Sequence, residues 1–182
     1  PDNPYFFIID EINRGNLSKI FGELLMLIES DKRETYSVKL PYSGEDFTIP
    51  KNLYIIGTMN TADRSLSLVD YALRRRFSFI TLKSAYNTNK FNNYMIEELK
   101  YSKEELAQIN QTMEELNNLI KNNLSDNFEI GHSYFITKDR SNNFAEFINE
   151  IYKYEILPLV EEYFFDDEIL VESIKNKMNI YE

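Results

Sequence analysis

The stretch FFIIDEINR, residues 6–14, closes an apolar run on two adjacent carboxylates. A run rich in Phe and Ile and preceded by Pro4 reads as a β-strand buried on both faces, the pattern of a parallel sheet. Asp10 and Glu11 then stand at its carboxyl end. In open α/β sheets ligands bind along that edge, and an acidic pair there can hold a divalent cation and polarise a water molecule. LYIIGTMN, 53–60, repeats the pattern of an apolar strand with a polar tip, and RRRFSFITL, 74–82, reads as a third strand behind a short helix over 66–73. Between the first two strands, Asn16 or Ser18 starts a helix running to Ile28, with Ile20, Phe21, Leu24, Leu25 and Ile28 on one face. YSVKLPYSGEDFTIP, 36–50, alternates apolar and polar residues around a Ser-Gly turn, which marks a hairpin inserted outside the main sheet. Strands alternating with helices imply a parallel sheet with covering helices.

The character changes over residues 83–90, a polar segment expected to be a linker between an α/β part, 1–85, and a helical part, 86–182. Ser102 and Glu105 form a capping box ahead of Leu106, Ile109, Met113, Leu116 and Ile120, whose spacing of three and four predicts a long amphipathic helix. FEIGHSYF, 128–135, is expected to be irregular or extended, and helices from about Asn142 onward are interrupted at Pro158. Charge follows the same division. Residues 1–85 balance 11 basic against 11 acidic side chains, so the whole net charge of -10 falls on residues 86–182. A surface that acidic repels phosphate backbones and makes this stretch a poor direct ligand for nucleic acid.

With no cysteine, a disulfide framework and thiolate metal sites are excluded; with His132 as the one histidine, so is a multi-histidine zinc site. No run approaches the roughly 20 apolar residues of a membrane helix and no signal sequence opens the chain, so a cytoplasmic protein without membrane association is expected. The chain starts at Pro1 without an initiating Met and reads as part of a longer one.

Three features converge on one sheet edge: Asp10-Glu11, the tip MNTAD at 59–63, and the cluster Arg74, Arg75 and Arg76. Phosphoryl transfer needs a carboxylate-held metal, a group that positions water, a polar residue near the terminal phosphate and cations that offset transition-state charge. Each has a candidate here. Three consecutive guanidiniums entering a buried strand also need something anionic opposite them, which a subunit interface would supply.

FFIIDEINRGNLSKIFGELLMLIE, YIIGTMNTADRSLSLVDYALRRRFSF, IGHSYF and LPLVEEYFFDD resemble the corresponding segments of the McrB family, AAA+ GTPase motor subunits of 5-methylcytosine-specific restriction systems. The likeness runs from about residue 5 to residue 167, and MNTADRS with RRRF is far more specific than a lone acidic pair. The resemblance implies a partial AAA+ (P-loop NTPase) α/β sheet with covering helices, followed by an all-α lid. It makes IIDE the Walker B strand, with Asp10 holding Mg²⁺ through its water shell and Glu11 polarising the attacking water. Asn13 and Arg14 extend that motif, the Arg towards a neighbouring subunit. Asn60 matches the sensor position and Asp63 completes its signature. Arg75 and Arg76, ahead of Arg74, match the arginine-finger role. GTP or ATP with Mg²⁺, self-association into a ring, an McrC-like nuclease subunit, and DNA bound through a domain outside this chain follow from the same likeness.

One departure stands against these matches. No GxxxxGK[ST] loop occurs in the chain, which has five glycines in all, so the amides and Lys that cradle phosphates are missing and these residues alone are expected to bind nucleotide weakly or not at all and not to hydrolyse it. A dynein-related or MoxR-like ATPase with a DEINR-type Walker B, and an inactive AAA+ scaffold, stand as alternatives. His132 has no carboxylate or nucleophile nearby in sequence and is expected to be a structural or sensor-like residue of the lid.

Overall fold

The computed structural model describes residues 3–60, 62, 71–137 and 143–178, in two compact units divided between Thr81 and Leu82. In the first unit the order is β1 (Tyr5–Ile9), α1 (Leu17–Phe21), α2 (Leu24–Leu27), β2 (Val38–Lys39), β3 (Asp46–Phe47), β4 (Leu53–Gly57) and α3 (Tyr71–Arg74). β1 and β4 pair in parallel, with Tyr5 opposite Leu53 and Ile9 opposite Gly57. β2 and β3 form the separate antiparallel hairpin that the alternation of residues 36–50 predicts.

Leu53 and Ile55 point from β4 towards a small core of Leu27, Ile28 and Ile49, while Ile9, Met59 and Phe77 join a second one around Ile12, Leu17, Leu25 and Leu73. The opposite face of the pair, where Phe6 stacks on Tyr54 at 5.5 Å, is bare: Phe6 is 61% and Ile8 64% exposed. The expectation that β1 is buried on both faces is therefore corrected. Coverage is incomplete on both faces: Tyr5 and Phe7, on the side of Leu53 and Ile55, are also more than half exposed, and nothing described in this unit covers the side of Phe6 and Ile8.

The third strand expected over 74–82 does not form. Arg74 ends α3, residues 75–77 turn, and 78–82 run without ladder bonds, leaving Ile80 and Leu82 exposed. Composition alone does not make a strand: among the described residues this segment pairs with neither β1 nor β4. Most of the short helix expected over 66–73 lies outside the described residues. The single helix expected from residue 16 to 28 is two: Asn16 caps α1 by accepting from the Lys19 amide, and Gly22, at φ 49°, breaks the rod before α2. A left-handed residue there is cheap only for glycine.

The second unit contains α4 (Asn89–Glu97), α5 (Lys103–Asn123), α6 (Phe144–Ile151), α7 (Leu157–Tyr163) and α8 (Glu168–Lys177) around one continuous core. α5 starts at the expected capping box, with the Ser102 hydroxyl accepting from the Glu105 amide and the Glu105 carboxylate accepting from the Ser102 amide. Its five predicted apolar residues are all buried. The supposed linker over 83–90 ends inside a helix: Thr88 caps α4, and the Asn-rich composition concealed Phe91 and Met95, both buried. Pro158 does not interrupt the C-terminal helices as expected. A π-turn, Tyr152–Ile156, joins α6 to α7, and the Leu157 amide reaches back five residues to the Tyr152 carbonyl. The widened turn accommodates a residue that has no amide to donate and whose ring crowds the preceding turn. Among the described residues no helix is long and apolar enough to cross a membrane.

FEIGHSYF starts at the end of one 3₁₀ turn, Asp126–Phe128, and closes with a second, His132–Phe135, and is held from inside by a residue the periodicity did not flag. Asn117, on the buried face of α5, accepts from the Ile130 amide at 2.8 Å and donates to the Ile130 carbonyl at 3.0 Å. His132 Nδ1 accepts from the Ala85 amide at 3.0 Å, Tyr86 donates to the Gly131 carbonyl at 2.7 Å, and Ser84 donates to Glu129, so the start of this unit is clasped by the same turns. Burial raises the Tyr86 phenol above its ordinary range and keeps it a donor.

Asn117→Leu strands both Ile130 backbone groups in the core and is expected to lower unfolding free energy by roughly 2–4 kcal/mol. Asn118→Ala, at an exposed neighbour, is expected to stay within about 0.5 kcal/mol. Denaturant unfolding of the two variants compares them, and equal losses would mean that Asn117 carries no such load.

Candidate functional site

The parallel register that ends β1 at Ile9 and β4 at Gly57 puts the next residues of both strands side by side. The Thr58 amide donates to the Ile9 carbonyl at 3.0 Å, and the Ile12 amide donates to the Thr58 carbonyl at 2.9 Å. The chain must therefore fold back over three residues, and Glu11 takes the left-handed conformation at φ 50° and ψ 46° to do it. That backbone costs an L-residue about 1–2 kcal/mol. The return is enforced by Ile12, which is buried against Gly57: a Cβ on that glycine would lie 2.8 Å from Ile12 Cδ1. The 3₁₀ turn Ile12–Arg14 follows.

Asp10 and Glu11 are both exposed at the head of this turn. Asp10 Oδ1 accepts from the Glu11 amide at 3.1 Å and from the Thr58 hydroxyl, and the Glu11 amide also donates to Thr58 Oγ1 at 3.1 Å. Glu11 Oε2 lies 2.6 Å from Arg14 Nε, a pair with both side chains about half exposed and worth only about 0–1 kcal/mol. Asn13 is buried, donates through Nδ2 to the Asn60 carbonyl at 3.3 Å, and its Oδ1 finds no hydrogen-bond partner among the described residues. A buried acceptor left so costs roughly 1–3 kcal/mol, the kind of local deficit found where function rather than stability sets the residue. Asn60 Oδ1 in turn accepts from the Ala62 amide at 3.1 Å, which shapes the tip of β4.

The fold thus brings together Asp10, Glu11, Asn13, Arg14 and Asn60. Arg74, Arg75 and Arg76 sit on the stretch that ends α3, with Arg74 and Arg75 exposed. Arg76 is mostly buried and forms a 2.7 Å ion pair with Glu29, so the anion that a buried guanidinium requires comes, for this Arg, from its own unit. Asp63 lies outside the described residues.

Among the described residues no cluster of three or more His, Asp or Glu is gathered. Asp10 is the carboxylate suited to Mg²⁺. Its described hydrogen bonds both land on Oδ1, leaving Oδ2 for the water shell of an ion that favours one or two carboxylates, several waters and substrate phosphate oxygens. Sequence reasoning gave no role to Thr58 or Gly57, which hold the turn. The signal was available in the register: two parallel strands whose tips align place GT opposite the residues before Glu11.

Residues 2–77 match the model of the AAA domain of the dynein-related subfamily, and residues 108–172 match that of the α-helical lid domain of McrB. Over 98% of its length the chain is 49% identical to the EcoKMcrB subunit of the type IV methyl-directed restriction enzyme of Escherichia coli K12. Over 41% of its length it is 31% identical to YdiS, a component of the type II restriction enzyme BsuMI of Bacillus subtilis 168. The chain spans 40% of the first relative's length and 26% of the second's.

Two substitutions test the geometry of the turn. Glu11→Gly removes an exposed side chain from a left-handed position and is expected to cost no stability, or to add up to about 1 kcal/mol. Gly57→Ala drives a methyl into Ile12 and is expected to destabilise by about 1–3 kcal/mol. Denaturant midpoints of both variants provide the check, and the reverse order would contradict it.

Proposed function

The chain belongs to the McrB-like AAA proteins, with part of the AAA α/β domain followed by the helical lid, and from that premise we propose that it serves nucleoside-triphosphate hydrolysis in the motor subunit of a modification-dependent restriction system. The observation that carries this reading is the acid pair at the end of β1, locked beside the β4 tip that presents Asn60.

Asp10 would hold hydrated Mg²⁺, which when bound offsets charge on the phosphate oxygens. Glu11, exposed at the head of the turn, accepts a hydrogen bond from the attacking water and takes up its proton. The water oxygen bonds to the γ-phosphorus while the bond from that phosphorus to the bridging oxygen breaks, and the diphosphate leaves with the electron pair. Asn60 donates to the γ-phosphate or the attacking water, and Asp63, which completes the motif, is assigned to the same nucleotide site. Asn13 keeps the acid turn and this tip together, and Arg14 holds the Glu11 carboxylate in place and faces the neighbouring subunit.

In a ring of such subunits Arg75, exposed, reaches the nucleotide of the adjacent copy, where a guanidinium stabilises transition-state charge. Arg76 serves the same interface only once released from Glu29, and Arg74 lines it. We assign residues 1–85 to the α/β part and residues 86–182 to the lid. No GxxxxGK[ST] loop occurs among these 182 residues, so we assign hydrolysis to the longer protein and expect the isolated chain to bind nucleotide weakly or not at all. GTP is the nucleotide the McrB likeness favours. An McrC-like nuclease partner, DNA bound through another domain, and a cytoplasmic location complete the reading.

Turnover of GTP and ATP by the full-length protein, with and without its nuclease partner, tests it. GTP-selective hydrolysis is expected, falling by roughly 100-fold or more in Glu11→Gln, the order lost when a catalytic proton acceptor is removed. Arg75→Ala is expected to be inactive alone and to regain turnover when mixed with Glu11→Gln, because each variant then supplies what the other lacks. ATP-selective hydrolysis would transfer the protein to the related ATPases, and no hydrolysis of either would leave a scaffold.

A further inference from the structure

We propose that Thr58 is a positioning residue for the acid pair: its hydroxyl bridges the Asp10 carboxylate and the Glu11 amide, and so sets the direction in which both carboxylates are presented. The inference rests on the reading of Asp10 and Glu11 as the hydrolytic pair, and adds a residue to which neither the sequence motif nor that reading gives a role.

The hydrogen-bond directions leave one arrangement. A backbone amide can only donate, so Thr58 Oγ1 accepts from Glu11, at 3.1 Å. An ionised carboxylate can only accept, so the remaining hydroxyl proton goes to Asp10 Oδ1. Thr58 is also gripped at both ends of its backbone, its amide by the Ile9 carbonyl and its carbonyl by the Ile12 amide. The residue that follows β4 thereby touches the start, the middle and the end of the turn from 9 to 12. Its side chain fixes the carboxylate plane of Asp10 through Oδ1 and anchors the amide of the left-handed Glu11. Without the hydroxyl, the Glu11 amide retains its bond to Asp10 Oδ1 and the backbone bonds of Thr58 to Ile9 and Ile12 remain, but the described bonds that tie the Asp10 carboxylate and the Glu11 amide to the residues after β4 are lost.

The test uses the full-length protein with Thr58→Val, which keeps the branched shape, and Thr58→Ser, which keeps the hydroxyl. In the absence of nucleotide, hydrogen exchange at the Glu11 amide is expected to be about tenfold faster in Thr58→Val and near wild type in Thr58→Ser. Hydrolysis in Thr58→Val is expected to lose roughly 10–100-fold in kcat, with the dissociation constant for nucleotide within about threefold of wild type, and Thr58→Ser is expected to recover most of the rate. Wild-type exchange and wild-type kcat in Thr58→Val would overturn the inference. So would equal defects in the Val and Ser variants, which would point to packing of the methyl group. A Glu11→Gln protein that hydrolyses normally would defeat the functional reading instead, and the exchange measurement would still report on Thr58.

Discussion

The parallel register of β1 against β4 is the constraint on which the candidate site depends. With Ile9 opposite Gly57, the strands end at the same level and their next residues face each other across the sheet edge. A shift of one residue would turn every side chain of β4 to the other face, taking Leu53 and Ile55 away from their core and moving Thr58 off Asp10. Gly57 makes the register usable, because Ile12 occupies the space where a side chain would stand. The apolar packing of Ile12 and the hydrogen bonds of Thr58 together define the path of the acid turn.

That path is locally unfavourable in two places. Glu11 is left-handed, and Asn13 carries a buried acceptor without a described partner. Such costs persist where the surroundings over-determine a conformation, and they cluster where a protein needs a side chain aimed rather than relaxed. The second unit is organised differently. Its long helix buries Asn110 and Asn117 among apolar side chains, and these amides bind the backbone or side chains of the segments that cross them. Asn110 and Asn117 pin the lid through satisfied amides, while the packing of Ile12 on Gly57 holds the acid turn in its left-handed path.

The features legible in the sequence were those set by near neighbours. α5 was visible because a capping box and a spacing of three and four are local facts, and both long strands were visible as apolar runs with polar tips. The failures came from longer range. RRRFSFITL has strand composition but pairs with neither β1 nor β4 among the described residues, and Gly22 divides a helix that periodicity alone joins. Pro158 reads as a stop, yet a π-turn beginning six residues earlier absorbs it. Within the site, the acid pair and Asn60 were legible from type and order. Thr58 was not, because its importance depends on which residue lies across the sheet. The engagement of Arg76 by Glu29 likewise joins residues far apart in sequence.

Residues 2–77 match an AAA domain and residues 108–172 a McrB lid, and the proposed hydrolysis rests on one short turn of the first. The most direct measurement is a structure of the full-length protein with a non-hydrolysable GTP analogue and Mg²⁺. The account predicts a water within hydrogen-bond reach of the Glu11 carboxylate and in line with the γ-phosphate, with Asp10 meeting the water shell of the metal and Thr58 still bridging the two acids. Nucleotide bound with Asp10 and Glu11 turned away from its phosphates would contradict it.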